Sequence, residues 1–205
     1  MTEGQPSRTA LALATRNPGK VHEVLRICEG WPARWTVYRA GDDRWPEVEE
    51  TGATYLENAL LKARAVAAAL RMPAVADDSG IEVDALGGAP GPRSARFAGD
   101  GASDEANLHL LIDRIRPVRD DGRTARYRCV AACAWPDGRE VWTEGVCEGS
   151  LILEPRGTGG FGYDPIFVPN GSQDGRTIAE LSSDEKDRIS HRGEAFRAMR
   201  ERLFG

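Results

Sequence analysis

The stretch Ala74–Gly80 constrains the fold more than any other part of this 205-residue chain. Three small apolar residues lead directly into two adjacent carboxylates, Asp77 and Asp78, followed by a serine and a glycine. The apolar residues, and the alternation that resumes over residues 81–84, predict a buried strand with the two acids at its end. Paired like charges there must be solvated or must bind something positive. The stretch alone leaves two interpretations open: a divalent metal site, or an Asp-rich turn closed by the glycine.

The composition is typical of a soluble globular protein, with 40% hydrophobic and 29% charged residues. No apolar run approaches the roughly 20 residues that cross a bilayer. Residues 1–8 lack the apolar core of a secretion signal, so we expect a cytoplasmic protein with no membrane partner. We expect residues 1–8 to be a disordered extension and residues 9–205 to form a single domain. The net charge of −5 argues against nonspecific nucleic-acid binding, which needs an extended basic face.

Lysine is scarce in this chain. Of the 27 basic residues only three are lysines, at positions 20, 62 and 186, and the remaining 24 are arginines. Where lysine is so scarce, each lysine is less easily explained as general surface charge, and its surroundings become informative.

The first lysine ends a segment that we interpret as a phosphate-binding loop after a predicted strand over residues 9–14. The segment consists of Thr15, Arg16, Asn17, Pro18, Gly19 and Lys20. Asn17 is a good helix N-cap, and Pro18 suits the first helical position. Gly19 and Lys20 would then offer free N–H groups and a full positive charge at the positive end of the helix. The spacing is not that of a P-loop, and the alternative is an ordinary strand-to-helix turn with a solvated lysine.

The second lysine lies on a predicted helix that leads back to the acidic strand. Thr54 and Glu57 form a capping box before an alanine-rich helix predicted over residues 55–71. Asn58 and Lys62 are four residues apart and therefore share one face of this helix.

Two further acids, Glu49 and Glu50, lie just before this helix. The helix and the return strand could bring one of them near Asp78. Two or three convergent carboxylates suit Mg²⁺, which prefers oxygen ligands and keeps several waters. For these two residues alone, a solvated acidic turn is the simpler alternative.

The middle of the chain predicts one more helix and a hairpin. Ser103 is a candidate cap for an amphipathic helix that continues to about Arg116. Strand-like segments over residues 127–135 and 140–147 are joined by Pro136-Asp137-Gly138, which is typical of a hairpin.

A glycine-rich segment over residues 157–165 carries Phe161, Gly162, Tyr163 and Asp164. Glycines give this backbone the freedom to hold two aromatic rings in an exposed loop. Phe161 could stack on a planar base, a contact worth about 1–3 kcal/mol in nucleic-acid complexes. The alternative is that both rings fill the core from a glycine-rich turn.

The third lysine, Lys186, lies in a short helix that begins near Ser182, and His191 and Arg192 lead into the last helix. Lys186 and Arg192 could act together if both reach a pocket. Taken singly, each is more simply a solvated charge at a helix end, and His191 is more simply a structural hydrogen-bonding residue.

These motifs form an ordered series that runs from about Thr9 to Leu203. The series consists of residues 15–20, 49–52, 57–59, 77–80, 87–91, 94–96, 159–165 and 190–193. In this order the motifs resemble the inosine/xanthosine triphosphate pyrophosphatases, which act on non-standard purine nucleoside triphosphates. No single motif is decisive, but the ordered set is specific.

The resemblance implies an α/β fold with an elongated mixed β-sheet flanked by helices, in two lobes with a central substrate cleft. It also implies a homodimer and dependence on Mg²⁺, with one or more ions per subunit. The implied reaction is hydrolysis of ITP, dITP or XTP to the nucleoside monophosphate and pyrophosphate.

Position by position, the resemblance implies that Asp78 is the general base and that Asp78 and Glu50 hold the metal, with Glu49 as the alternative to Glu50. Asp77 is expected to be a supporting carboxylate or a structural anchor. The implied substrate contacts are Thr15, Arg16, Asn17, Pro18, Gly19, Lys20, Ser79, Phe161, Gly162, Tyr163, Asp164, Lys186, His191 and Arg192.

Three other functions fit parts of the sequence. A nucleotide-binding sensor of the same fold would keep Lys20, Phe161 and Arg192 but would not need Asp78. A metal-dependent phosphatase with an aspartate nucleophile usually has its two acids separated by one residue, whereas Asp77 and Asp78 are adjacent. A P-loop NTPase would need a loop spacing that this chain lacks.

Overall fold

Six strands form one mixed sheet in the computed structural model of the chain, which describes residues 8–172 and 174–205. The strands are β1 (Thr9–Leu13), β2 (Ala33–Val37), β3 (Ala74–Val83), β4 (Thr124–Ala134), β5 (Glu140–Leu151) and β6 (Phe167–Pro169). Their order is β2-β1-β3-β4-β5-β6. β1 pairs in parallel with β2 and β3, with Leu13 opposite Val37 and Val75, and β5 pairs antiparallel with β6. The prediction of an α/β fold with a mixed sheet is confirmed.

Five α-helices accompany this sheet in the described part of the chain. They are α1 (Pro18–Ile27), α2 (Tyr55–Leu70), α3 (Asp104–Ile115), α4 (Ser183–Ile189) and α5 (His191–Phe204). The side chains predicted to start the first three helices do so: Asn17 accepts from Lys20 N, Thr54 from Glu57 N and Ser103 from Ala106 N. None of the described helices is both long and apolar enough to cross a membrane.

The predicted hairpin joins β4 to β5. Trp135 N donates to Arg139 O at 2.9 Å, and Gly138 N donates to Trp135 O at 3.0 Å. Gly138 has φ +89°, a left-handed conformation that glycine adopts without strain. The hairpin is confirmed, although both strands extend beyond the predicted limits.

The chain divides into two compact units. The first unit comprises residues 1–78, 130–143 and 196–205, and the second comprises residues 79–129 and 144–195. The Asp78–Ser79 peptide bond is one of the points at which the chain passes from one unit to the other. The predicted extension over residues 1–8 falls outside the described residues except for Arg8, and a single domain over residues 9–205 stays a prediction.

The first unit has a core of small side chains. Buried alanines of β1, α2 and β3 pack together with Val66 and Trp45. A second group joins α2 to β4 through Tyr55, Ala59, Val130 and Ala132. Small residues let helix and strand backbones approach closely, so the alanines of α2 hold this helix against β1, β3 and β4.

The second unit has a core of larger side chains. Leu108, Leu111, Ile112 and Ile115 form the apolar face of α3. They pack with buried side chains from strands β3 to β6 and from the turns beside them, namely Ile81, Val83, Ala125, Tyr127, Cys147, Leu151, Tyr163, Ile166, Phe167 and Ile178. The strands and turns that carry the predicted base-binding residues are thus fixed by a continuous hydrophobic cluster.

The prediction that Asp77 and Asp78 end their strand is wrong. β3 continues from Ala74 to Val83, so the two carboxylates lie in mid-strand and are buried, with 1% and 4% of their surfaces exposed. A strand interior tolerates such charges only when side-chain donors replace water. Donors from α1 and α2 do so here, which is why the strand does not need to reach solvent at the acids.

Candidate functional site

Five charged side chains of the first unit form a cluster, which we call the acid–lysine cluster: Lys20, Glu50, Lys62, Asp77 and Asp78. Lys62 Nζ lies 2.8 Å from Glu50 Oε1 and 3.2 Å from Asp78 Oδ1. Lys20 Nζ lies 3.1 Å from Asp77 Oδ2. The two neighbouring acids of β3 are therefore paired with lysines from different helices, Asp77 with α1 and Asp78 with α2.

Asn58, on α2, links Asp78 to the segment that follows Glu50. Its Nδ2 donates to Asp78 Oδ2 at 3.1 Å, and its Oδ1 accepts from Gly52 N at 2.8 Å. The two contacts fix the orientation of the amide and tie the segment just after Glu50 to the catalytic candidate Asp78. A side chain at position 52 would crowd Asn58, because an added Cβ would lie 2.6 Å from Asn58 Oδ1.

Burial and charge act in opposite directions on the groups of this cluster. Burial raises the pKa of the Asp78 carboxyl above its ordinary value, and the nearby lysines only partly oppose this effect. Burial lowers the pKa of Lys62, but the neighbouring carboxylates outweigh it and the pKa lies above its ordinary value. Lys62 is therefore a permanent cation at neutral pH, and Asp78 is a more basic carboxylate than an exposed aspartate.

The predicted phosphate loop precedes and starts α1 as expected. Asn17 Oδ1 accepts from Lys20 N at 3.1 Å, and Thr15 Oγ1 accepts from Asn17 N at 3.2 Å. Pro18 and Gly19 occupy the first turn of the helix. Pro18 has no N–H and Lys20 N is bonded to Asn17, so the N–H of Gly19, which has no partner within the helix, is the donor that this turn offers to an anion.

The side chain of Arg16 contacts other residues of the first unit. Its Nη2 donates to Trp45 O at 2.6 Å, and its guanidinium lies 4.9 Å from the ring centroid of Tyr38. The side chain thus holds the segment that leads from β2 towards Glu50. Its predicted role as a phosphate contact stays a prediction.

The carboxylates of the acid–lysine cluster fit a magnesium ion that shares its ligands with a substrate. Among the described residues no group of three or more His, Cys, Asp and Glu side chains could hold a metal by itself. Mg²⁺ is usually held by one or two carboxylates together with waters and substrate phosphates. Glu50 and Asp78 provide such a pair, because an oxygen of each lies within ion-pair distance of the same ammonium group. Glu49 is exposed, which favours Glu50 as the partner of Asp78.

The other predicted substrate contacts lie in the second unit. We call five of them the aromatic–cation cluster: Ser79, Phe161, Lys186, His191 and Arg192. Lys186 Nζ lies 5.0 Å and Arg192 Cζ 5.7 Å from the ring centroid of Phe161. Arg192 Nη2 donates to Ser79 Oγ at 2.8 Å, and only 1% of Arg192 is exposed. Two cations and a half-buried ring thus lie together, as expected of a site for a planar, electron-rich group.

The start of α5 is held tightly against β5 at Gly145. A Cβ at this position would lie 2.6 Å from Ala195 N and would also overlap His191 O. Glu194 Oε2 accepts from Val146 N at 2.8 Å. The backbone that carries His191 and Arg192 is therefore fixed by close packing on a strand.

In the glycine-rich segment one aromatic ring lies beside the two cations and the other fills the core. Phe161 is half-buried and faces the two cations, whereas Tyr163 is buried in the core and its hydroxyl donates to Ser94 O at 2.7 Å. Gly162 has φ +61° and donates to Asp104 Oδ2 at 3.2 Å. The core alternative is thus correct for the Tyr163 ring and does not describe Phe161. Contact of Gly162 or Tyr163 with substrate stays a prediction.

Asp164 is the buried anchor of the aromatic–cation cluster. Its Oδ2 accepts from Lys186 Nζ at 2.8 Å and from Phe161 N at 3.0 Å. Its Oδ1 accepts from the hydroxyl of Tyr127 at 3.1 Å. Asp164 was predicted to contact substrate, and its position shows that it organises two other predicted contacts.

Three residues that belong to these clusters or contact them were missing from the predicted site residues: Asn58, Lys62 and Tyr127. Lys62 and Asn58 carried a signal, namely the scarcity of lysine and their spacing on one face of α2, but no role could be assigned without knowing that Asp78 lies opposite them. Tyr127 carried no signal, since its partner Asp164 is 37 residues away in sequence.

Comparison with known proteins relates the whole chain to one family. The sequence model of the Ham1 family matches residues 11–202. The dITP/XTP pyrophosphatase of Streptomyces coelicolor is 52% identical over 194 residues, which cover 93% of this chain and 95% of the relative. The dITP/XTP pyrophosphatase of Thermus thermophilus is 49% identical over 193 residues, which cover 93% of this chain and 90% of the relative.

Solved structures give the same result for the fold. A HAM1 protein from Coxiella burnetii is similar with a TM-score of 0.83 and 36% identity, over 95% of this chain and 98% of that one. A nucleoside-triphosphatase described as a dITP/XTP pyrophosphatase, from Mycobacterium abscessus, is similar with a TM-score of 0.73 and 42% identity, over 93% of this chain and 98% of that one.

Proposed function

The chain belongs to the Ham1 family, and we propose that it hydrolyses ITP, dITP and XTP to the nucleoside monophosphate and pyrophosphate. This activity removes non-standard purine nucleotides from the triphosphate pool. The observation that carries the proposal is the convergence of Glu50 and Asp78 on one buried ammonium group, because it gathers the charges that phosphoryl chemistry requires. The names of the relatives support the substrate class.

We assign Mg²⁺ to Glu50 and Asp78, the two carboxylates that fit it. When bound, the ion would neutralise charge on the phosphate oxygens and favour ionisation of a water molecule. Lys20 and Lys62 add two positive charges beside these carboxylates, and the first turn of α1 adds a backbone N–H donor at Gly19. The three carboxylates of the acid–lysine cluster outnumber its two lysines, so the cluster becomes net positive, by one charge, only when Mg²⁺ is bound. A triphosphate carries about four negative charges, and we therefore expect its binding to depend on the metal.

The chemical step is the attack of water on the α-phosphorus. Asp78 accepts a proton from that water, a bond forms between the water oxygen and phosphorus, and the bond to the α,β-bridging oxygen breaks. Pyrophosphate leaves with the bridging oxygen and its electron pair. The hydrogen bond from Asn58 Nδ2 holds the carboxylate of Asp78 in one orientation for this step.

The base is selected by hydrogen-bond polarity. Lys186 and Arg192 can only donate hydrogen bonds. Hypoxanthine and xanthine present an oxygen acceptor at position 6, whereas adenine presents an amino donor that would leave these donors mismatched. We assign Phe161 to stacking against the base, beside the same two cations. Rejection of a mismatched buried polar group can reach about 10²-fold or more.

We further propose that the enzyme is a cytoplasmic homodimer that binds free nucleotides rather than nucleic acid. The net charge of −5 supports the last point. Light scattering during size-exclusion chromatography measures the assembly directly: a mass near twice 22.3 kDa is expected, and a mass near 22.3 kDa would refute the dimer.

The test of the activity is pyrophosphate release from ITP, dITP, XTP, GTP and ATP, each with and without Mg²⁺. We expect rapid release from the first three only, and only with the metal. Equal rates on all five nucleotides would refute the substrate class. Orthophosphate as the first product would show a phosphatase instead.

The role of Asp78 is tested with Asp78→Asn. We expect no turnover but measurable nucleotide binding, because the substitution removes the proton acceptor and keeps the size of the side chain. Asp113→Asn, at an exposed ion pair on α3, is the matched control and should retain wild-type activity. An active Asp78→Asn variant would show that Asp78 is not the base.

A further inference from the structure

Tyr127 contacts two residues of the aromatic–cation cluster from within the core of the second unit. It lies on β4 and only 7% of it is exposed. Its ring is stacked on the imidazole of His191, with centroids 4.7 Å apart and planes 9° apart. Its hydroxyl donates to Asp164 Oδ1 at 3.1 Å. One buried side chain therefore fixes both the plane of a histidine and the orientation of a carboxylate.

Asp164 connects the hydroxyl of Tyr127 to Lys186 and Phe161. Asp164 Oδ1 faces Tyr127, while Oδ2 accepts from Lys186 Nζ and from Phe161 N. A carboxylate that is bonded on both oxygens cannot rotate without breaking a charge-assisted hydrogen bond. The direction in which the remaining N–H groups of Lys186 point, and the path of the backbone at Phe161, thus depend on the hydroxyl of Tyr127.

The electrostatics of Tyr127 keep this donor in place. Burial, together with the charge of Asp164, raises the pKa of the phenol well above its ordinary value. The hydroxyl therefore remains protonated at neutral pH and donates to the carboxylate. A phenylalanine would fill the same space and stack on His191 but would leave Asp164 Oδ1 without this donor.

We propose that Tyr127 is a positioning residue for base binding, acting through Asp164 on Lys186 and Phe161 and through its ring on His191. The inference rests on the proposed function, since that function assigns the aromatic–cation cluster to the base. It adds that the geometry of base recognition is set from the sheet behind the cluster. Tyr127 itself does not touch the substrate in this scheme.

The test compares a ligand that has a base with one that has phosphates only. We expect Tyr127→Phe to weaken IMP binding and raise the KM for ITP about tenfold, the scale of one lost hydrogen bond to a charged group. Binding of tripolyphosphate, and kcat, should stay within about twofold, because the acid–lysine cluster is unchanged. Tyr55→Phe, which removes a buried hydroxyl from α2 in the first unit, is the matched control and should leave both dissociation constants unchanged.

A double-mutant cycle with Asp164→Asn tests the route through the carboxylate. If Tyr127 acts through Asp164, then Tyr127→Phe should weaken IMP binding much less in the Asp164→Asn background than in the wild type. An equal effect in both backgrounds would overturn the inference.

Two other outcomes separate this inference from the proposed function. Unchanged IMP binding in Tyr127→Phe, or equal weakening of IMP and tripolyphosphate, would overturn the inference while pyrophosphate release by the wild type still stands. A wild-type protein that releases no pyrophosphate from ITP would refute the proposed function and the inference together.

Discussion

Replacing Gly160 by alanine should displace the carboxylate that organises the aromatic–cation cluster. Gly160 has φ +70°, and a Cβ added there would overlap Oδ2 of Asp164. The same Cβ would lie 2.8 Å from Asp164 Cγ and 3.1 Å from Asp164 Cβ. Since the whole of this short, buried side chain is in the way, a small shift of one atom cannot relieve the overlap. Asp164 must rotate, and Oδ2 must then leave Lys186 Nζ or Phe161 N.

Two contributions determine how far Gly160→Ala lowers the free energy of unfolding. A left-handed backbone costs a residue with a Cβ roughly 1–2 kcal/mol. Loss of one hydrogen bond to a charged group costs about 1.5–3 kcal/mol. The free energy of unfolding of Gly160→Ala should therefore fall by about 2.5–5 kcal/mol. Gly138→Ala is the matched control, because Gly138 has φ +89° and no atom lies within 4 Å of its added Cβ. The free energy of unfolding of Gly138→Ala should fall only by the cost of the left-handed backbone, roughly 1–2 kcal/mol.

Urea unfolding measures both losses, and titration with IMP measures the effect on the site. Gly160→Ala should bind IMP at least tenfold more weakly than Gly138→Ala, by the same hydrogen-bond estimate, whereas tripolyphosphate should bind both variants alike. Equal destabilisation of the two variants, with equal IMP binding, would show that Asp164 is not held as described.

Three further predictions address separate parts of the molecule. Thr54→Ala removes the N-cap of α2 and should cost about 1 kcal/mol, lowering Tm by roughly 2–4 °C in a calorimetric melt, while Thr54→Ser should restore it. The hydrogen bond from Ser182 N and the nearby Arg176 lower the pKa of Glu185 from 4.5 to about 2. The stabilisation that the ionised Glu185 provides is therefore present above pH 4.5 and is lost as the pH falls towards 2. The difference in Tm between the wild type and Glu185→Gln should shrink over that range. Arg192→Ala should reduce the ratio of kcat/KM for ITP over ATP by about tenfold or more, and an unchanged ratio would exclude it from base recognition.

Local signals in the sequence predicted the helix starts and the hairpin because those structures depend on neighbouring residues. The capping box of Thr54 and Glu57, and the turn at Gly138, are each complete within a few residues. The family resemblance, rather than any single pattern, supplied the fold and the set of candidate site residues. Its strength lay in the order of the motifs along the chain.

The error at Asp77 and Asp78 has a different cause. Adjacent acids after an apolar run are typical of a strand that has reached solvent, and this rule assumes that water is the only available donor. Here Lys20 approaches from α1, and Asn58 and Lys62 approach from α2. A strand can continue through two carboxylates when such partners are present, and those partners are too distant in sequence to be inferred from the strand itself.

The same limit explains why Tyr127 escaped prediction. Its position within a strand-like run indicates only that it is half or fully buried. Its hydroxyl matters because Asp164 lies opposite, and the ring matters because His191 lies against it. Neither contact can be predicted from the spacing of residues. A buried polar group of this kind is therefore recognised only from the three-dimensional structure.

The positions of the three lysines now have a structural explanation. All three lysines are largely buried, with 16%, 12% and 8% of their side chains exposed, and each is paired with a carboxylate on or beside the proposed site. A buried ion pair contributes little to folding, because desolvation cancels most of the attraction. Stability therefore does not explain why these three positions carry buried ammonium groups. An ammonium is a point charge with three rotatable donors, which can hold a carboxylate and still turn a donor towards a phosphate or a base oxygen, whereas the planar fork of arginine is fixed by its first partner. The lysines that look costly for the fold are thus among the residues that we propose for ligand binding.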